Sequence, residues 1–143
     1  MKIKLVNTSL KFEAYRQPVP VQRDITSTVG FSARSCYVDG NELKSSSSTS
    51  LSNTFLLKTG ETITIKGKSA SATGGKYLIW VCPNSNNYTS SDIGLTGFVH
   101  QGDLITTAGG TTSFTASSDC YIVLQTLTTS LTDYAQVLLD TFE

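Results

Sequence analysis

The sequence predicts an all-β fold: a two-sheet antiparallel sandwich, jelly-roll-like, of about seven to nine short strands behind an extended N-terminal arm. Three observations predict it. Serine and threonine supply 40 of the 143 residues, yet Val, Ile, Leu, Tyr and Phe recur between them, and β-branched threonine suits the solvent face of a strand. Short apolar runs alternate with turn-forming Gly, Pro, Asn and Ser at fairly even spacing. No convincing helix and no fixed-period repeat appears, which argues against a propeller or solenoid.

The first 23 residues stand apart, with Lys2, Lys4, Lys11, Arg16 and Arg23 against Glu13 alone. Pro18 and Pro20 favour an extended chain lacking a full hydrogen-bond ladder. This stretch reads as an arm that orders against a partner, or equally as a first edge strand. The expected division is an arm, 1–25, and a sandwich domain, 26–143.

Gly30 to Val38 reads as a strand, and Val38-Asp39-Gly40-Asn41-Glu42-Leu43 as a tight hairpin, because Asp-Gly and Gly-Asn supply the positive φ angles such turns need. Ser45 to Ser50 is a polar low-complexity stretch, expected to be a solvated loop. Thr54 to Leu57 is a short strand closed by the turn Lys58-Thr59-Gly60-Glu61. Thr62-Ile63-Thr64-Ile65-Lys66 alternates with period two, so Ile63 and Ile65 face inward. Ser69 to Gly75 is a further loop. Lys76 to Cys82 is the most apolar run; hydrophobic residues on both faces mark a central strand covered on both sides. Pro83 to Asp92 is a polar loop. Strands follow near Thr96 to His100, at Ser113 to Thr115 and from Asp119 to Gln125, with turns at Gln101-Gly102-Asp103 and Gly109-Gly110. Tyr134 to Leu139 fits a strand slightly better than an amphipathic helix.

Composition narrows the possible functions. Three cysteines, Cys36, Cys82 and Cys120, have neither the number nor the spacing of a disulfide framework or zinc site, and are expected to be buried free thiols, as suits a reducing cytosol. The N-terminus lacks the apolar stretch of a signal peptide, and nowhere do about 18 apolar residues run together, so no membrane span is expected. The formal net charge is zero, but all eleven Lys and Arg lie between Lys2 and Lys76. That asymmetry gives two poles of opposite sign, unless the fold interleaves the halves and cancels the field. No basic stripe interleaved with aromatics points to nucleic acid.

The search for catalytic chemistry returns little. His100 is the sole histidine, and no G-x-S-x-G motif accompanies it, so it reads as a loop or strand-end residue. The acids are scattered in turns, and Asp39 to Glu42 lacks the ligand spacing of a calcium loop. The glycines form no phosphate-cradling pattern. No catalytic residue, cofactor or metal is expected. Trp80 lies inside the most apolar run and is expected in the core. Asn84, Asn86, Asn87 and Tyr88 form the loop best suited to contact a glycan, with amides for hydroxyls and a ring for stacking.

Four segments together resemble a sandwich domain of bacteriophage virion proteins, found in tail, baseplate, fibre and capsid-attached components. They are Tyr37-Val38-Asp39-Gly40-Asn41; Phe55-Leu56-Leu57-Lys58-Thr59-Gly60-Glu61-Thr62-Ile63-Thr64-Ile65; Tyr77-Leu78-Ile79-Trp80-Val81; and Ser113-Phe114-Thr115-Ala116-Ser117-Ser118-Asp119-Cys120-Tyr121-Ile122-Val123-Leu124. The pattern usually places a proline after Ala116, which this chain lacks, and the first 25 residues have no counterpart. The resemblance implies a non-enzymatic virion protein, a capsid decoration, head fibre or small tail or baseplate part, made in the host cytoplasm. Its expected partners are other virion proteins, with a homo-oligomer, dimer or trimer, as the expected state. Lys2, Lys4, Lys11, Arg16 and Arg23 are the expected docking residues. The alternative is a receptor-binding module that recognises host glycans through its loops.

Overall fold

The protein is described by a computed structural model that covers residues 18–67, 77–127 and 134–143. The expected loop Ser69 to Gly75 lies outside those residues, as do Lys2, Lys4, Lys11 and Arg16. In chain order the described strands are β1 (Pro20–Asp24), β2 (Ser32–Ala33), β3 (Cys36–Asp39), β4 (Glu42–Ser45), β5 (Thr49–Leu51) and β6 (Phe55–Leu57). They continue with β7 (Thr62–Gly67), β8 (Tyr77–Val81), β9 (Val99–Gln101), β10 (Thr111–Thr115), β11 (Cys120–Leu127) and β12 (Tyr134–Phe142). The only helical element among these residues is a single 3-10 turn, Ser90–Asp92.

The all-β sandwich is as expected, with antiparallel pairing throughout and the sheet orders β1-β12-β7-β10 and β2-β5-β11-β8-β9, β6 also pairing with β11. A third layer was not anticipated: the β3-β4 hairpin forms its own two-stranded sheet. The strand total exceeds the expected seven to nine because long runs are broken. Gly30 to Val38 splits into β2 and β3 at Ser35, whose φ of 59° interrupts extended backbone. The serine-rich stretch is likewise no simple loop. Thr49 and Ser50 are buried in β5, where Gln125, Thr126 and Leu127 of β11 pair with it. Ser52 extends the join, accepting through Oγ the Leu124 N–H at 2.9 Å.

Alternation along β8 and β11 explains the three layers. Tyr77 and Ile79 of β8 and Ile122 and Leu124 of β11 face Ile63, Ile65 and Val137 of the four-stranded sheet, forming one core. The intervening Trp80 and Val123 face the other way, into a second core with Val38 and Leu43 of the hairpin and with Cys36, Cys82, Tyr88 and Phe98. Period-two side-chain alternation gives a strand with apolar residues on both faces two partners to cover. The reading of Lys76 to Cys82 as a doubly covered strand therefore holds over Tyr77–Val81.

The segment following β8 completes the third layer. Leu43 N–H donates to the Leu95 carbonyl and Gly94 N–H to the Leu43 carbonyl, each at 2.9 Å, so the chain runs beside β4 as a makeshift strand. Gly40 closes the hairpin with φ +69°, the positive value that Asp39-Gly40-Asn41 signals.

Residues Pro20–Asp24 form an edge strand, the second of the two readings of this stretch. Val19 and Glu143 exchange both backbone hydrogen bonds, and Ile25 N–H donates to Val137. In the antiparallel register Val21 and Arg23 therefore also turn their backbones towards β12, while Pro18, Pro20, Gln22 and Asp24 turn theirs outward. Prolines fit there because the missing N–H would have no ladder partner. The pairing also brings charge from the two halves of the chain together: Arg23 of β1 forms an ion pair with Glu143. Interleaving, not two separated poles, is the arrangement along this edge.

Candidate ligand-binding site

The hairpin layer lies on one face of the six-stranded sheet and leaves an opening at each of its ends. At the open end, Ser35, Tyr37, the run from Ser45 to Thr49, Gln125 and Leu127 line a groove of 810 Å³. Among the described residues no charged side chain lines it. Its floor is fixed by Gln125, 7% exposed, whose Oε1 accepts the Val38 N–H at 2.8 Å. That bond crosses from the central sheet to the hairpin and would be hard to guess from sequence, because Gln125 sits inside an apolar strand.

At the turn end, Gly40, Leu78, Trp80, His100, Asp103 and Leu104 surround a pocket of 550 Å³. The β8-β9 register places Trp80 directly opposite His100, with ring centroids 5.2 Å apart and planes tilted by 58°. Trp80 is 5% exposed, as expected of a core residue, yet its indole Nε1 is buried without a hydrogen-bond partner among the described residues. Leu104 is 50% exposed, and His100 and Asp103 are exposed as well. His100 is thus a strand residue at the rim of a pocket. The sequence signal for this site is the pairing of an aromatic inside an apolar run with the turn Gln101-Gly102-Asp103.

The asparagine loop is placed differently from the glycan-contact expectation. Tyr88 is 0% exposed and packs edge-on against Phe98 at 5.0 Å. Its hydroxyl lies 3.0 Å from the carbonyl and 2.9 Å from Oδ1 of Asn84. Burial pushes its ionisation upward. A ring sealed inside the second core cannot stack on a sugar, so that role is corrected. Asn86 and Asn87 brace Thr54: the Asn87 Oδ1 accepts the Thr54 N–H at 2.9 Å and the Asn86 carbonyl accepts its hydroxyl at 2.6 Å. Asn84 also accepts the Asn86 N–H through Oδ1 at 3.1 Å. The Asn84 and Asn87 side chains thus hold the loop, while Asn86 engages through its backbone; Asn86 and Asn87 are exposed.

Of the expected docking residues, Arg23 alone lies among the described residues, on exposed β1, engaged with Glu143. Cys36 and Cys82 are buried and Cys120 half-buried, all three free. Burial pushes the Cys82 thiol up to about 12 and raises Cys36 and Cys120 as well, which leaves little thiolate at neutral pH. Among the described residues no group of His, Cys, Asp and Glu converges as a metal site, and no helix is long and apolar enough to cross a membrane. No known protein family, curated protein or solved structure matches this chain.

Proposed function

We propose that this protein is a non-enzymatic structural component of a bacteriophage virion, docked on the particle through its N-terminal segment and assembled there with other virion proteins. The observation that carries the proposal is the resemblance of the four segments between Tyr37 and Leu124 to virion sandwich domains. Those segments correspond to working parts of the fold: the hairpin turn at Gly40, the β6-β7 turn at Gly60, and central strands β8 and β11. A likeness spread over turns and core strands supports a shared scaffold more than a shared ligand.

The root of the arm supports the docking part of the reading. Pro20–Asp24 is pinned along β12 at an edge of the four-stranded sheet, so a docking segment preceding it would act on the domain through that edge. The test is mass spectrometry of purified particles followed by gold-labelled antibody. Label on the head supports a decoration or head-fibre role, label at the tail a baseplate or tail role, and its absence from particles refutes the proposal. Removing residues 1–17, and not 1–23, is the matching truncation, since it spares β1; the truncated protein should fold and fail to bind particles.

A further inference from the structure

The polar groove at Ser45 to Thr49 is the larger opening, but Ser45, Ser47 and Ser48 are exposed to water and the buried Thr49 hydroxyl is paired with Ser46 at 3.0 Å. The exposed pair Leu56 and Tyr121, register neighbours on the six-stranded sheet, has nothing beside it that says what would cover it. The pocket between Gly40 and Leu104 differs from both. It combines a cavity, a buried donor without an acceptor, and a free acceptor at its rim.

We propose that the pocket formed by Leu78, Trp80, His100, Asp103 and Leu104 binds a saccharide. Each part of a pyranose finds a counterpart there. Leu78 and Leu104 offer apolar surface and His100 an aromatic ring to the C–H face of the sugar, the mixture of apolar wall and few polar groups that small-ligand sites use. The Asp103 carboxylate has no hydrogen-bond or ion-pair partner among the described residues and accepts from ring hydroxyls, a charge-assisted bond. The indole Nε1 of Trp80 lacks an acceptor, and a buried donor left unpaired is a standing cost that a ligand oxygen relieves. In the ligand-free state that nitrogen is sealed, so a ligand oxygen reaches it only as the pocket wall rearranges.

A cationic ligand is the nearest rival, because Asp103 and two aromatic rings also suit an ammonium group. An ammonium brings donors only, and would leave the indole N–H unpaired. A sugar hydroxyl both donates and accepts, and so satisfies both groups at once. The inference stands apart from the virion reading, since none of the pocket's residues belongs to β1 or to the segment before it.

The experiment uses the full chain and its only tryptophan, Trp80, as a reporter confined to this pocket. A panel of neutral hexoses, N-acetylhexosamines and their oligomers is titrated against Trp80 emission, with tetramethylammonium as the cation probe and calorimetry to confirm any response. At least one saccharide should give a saturable change, weakened about tenfold or more by Asp103→Ala, weakened also by His100→Ala, and unaltered by Tyr121→Ala outside the pocket. Folding of the two surface variants is checked by circular dichroism; if Asp103→Ala does not fold, Asp103→Asn, which keeps the side-chain volume and an acceptor but loses the charge, takes its place with weakened binding expected. No response to any saccharide up to tens of millimolar overturns the proposal. So does a response to tetramethylammonium alone, or saccharide binding indifferent to Asp103 and His100.

Discussion

Among individual residues, Gln125 has the largest structural role that its type does not advertise. Its Oε1 is the acceptor for the buried Val38 N–H, so Gln125→Leu would keep the volume and orphan that donor. The expected loss is about 1–3 kcal/mol, read as a lowered urea midpoint with unchanged slope. Asp119 works at the surface. The Thr59 backbone N–H and then its hydroxyl, at 2.8 and 2.9 Å, hold its carboxyl below the ordinary carboxylate range. A folded value below the unfolded one means stability that is present above the unfolded value, about 3.9, and lost as pH falls through the folded one. Asp119→Ala should therefore be less stable than the native chain at pH 7, and the gap should narrow in acid below about pH 4. Urea midpoints at a series of pH values check this.

Two glycines show how far an element's needs can be read from its residues. Gly40 has φ +69° and open space within 4 Å of where a Cβ would sit, whereas at Gly102, φ +78°, a Cβ would meet Thr112 Oγ1 at 2.5 Å and the Ser113 carbonyl at 2.8 Å. Gly40→Ala should cost about 1–2 kcal/mol, from left-handed strain alone. Gly102→Ala should cost clearly more, because backbone of β10 must also give way; paired thermal melts decide the order. The turn at Gly40 was legible in Asp39-Gly40-Asn41, while the close approach at Gly102 is a tertiary fact with no local signature. The same division runs through the strands. Ile63 and Ile65 declared their face by alternation, and Tyr77–Val81 its two covered faces by being apolar throughout. Thr49–Leu51 did not, because small hydroxyl residues look solvated until a neighbouring strand supplies hydrogen bonds. Tyr88 differs for the converse reason: three flanking asparagines look like a solvated loop, but Asn84 and Asn87 hold it through their side-chain amides while the ring fills the second core. Of the candidate pocket, Trp80 inside its apolar run and the turn Gln101-Gly102-Asp103 were legible, but their meeting was not, since it joins a core tryptophan to a rim built by the next strand and turn.

For the molecule as a whole, the central sheet is the wall common to both cores. Val123 belongs to one and Leu124 to the other, so neither core comes apart without disturbing β11. Heat should unfold the described domain in a single transition, with calorimetric and van't Hoff enthalpies equal; a separate melt of the hairpin layer would show as a calorimetric excess. Truncation separates arm from sheet in the same assay. Removing residues 1–17 should leave the midpoint unchanged, and removing 1–24 should lower it by stripping β12 of its outer partner, with β7 left on the other side. The outer rim of β1 bears on a different matter, uncontrolled polymerisation. An exposed strand edge is a template on which further chains can add and grow into fibres. Here proline occupies two of the four outward-turned positions from 18 to 24, and an incoming strand would find no amide hydrogen at either. Among the described residues the sheet thus ends along this side, and a backbone ladder continued there would lack two of its four donors.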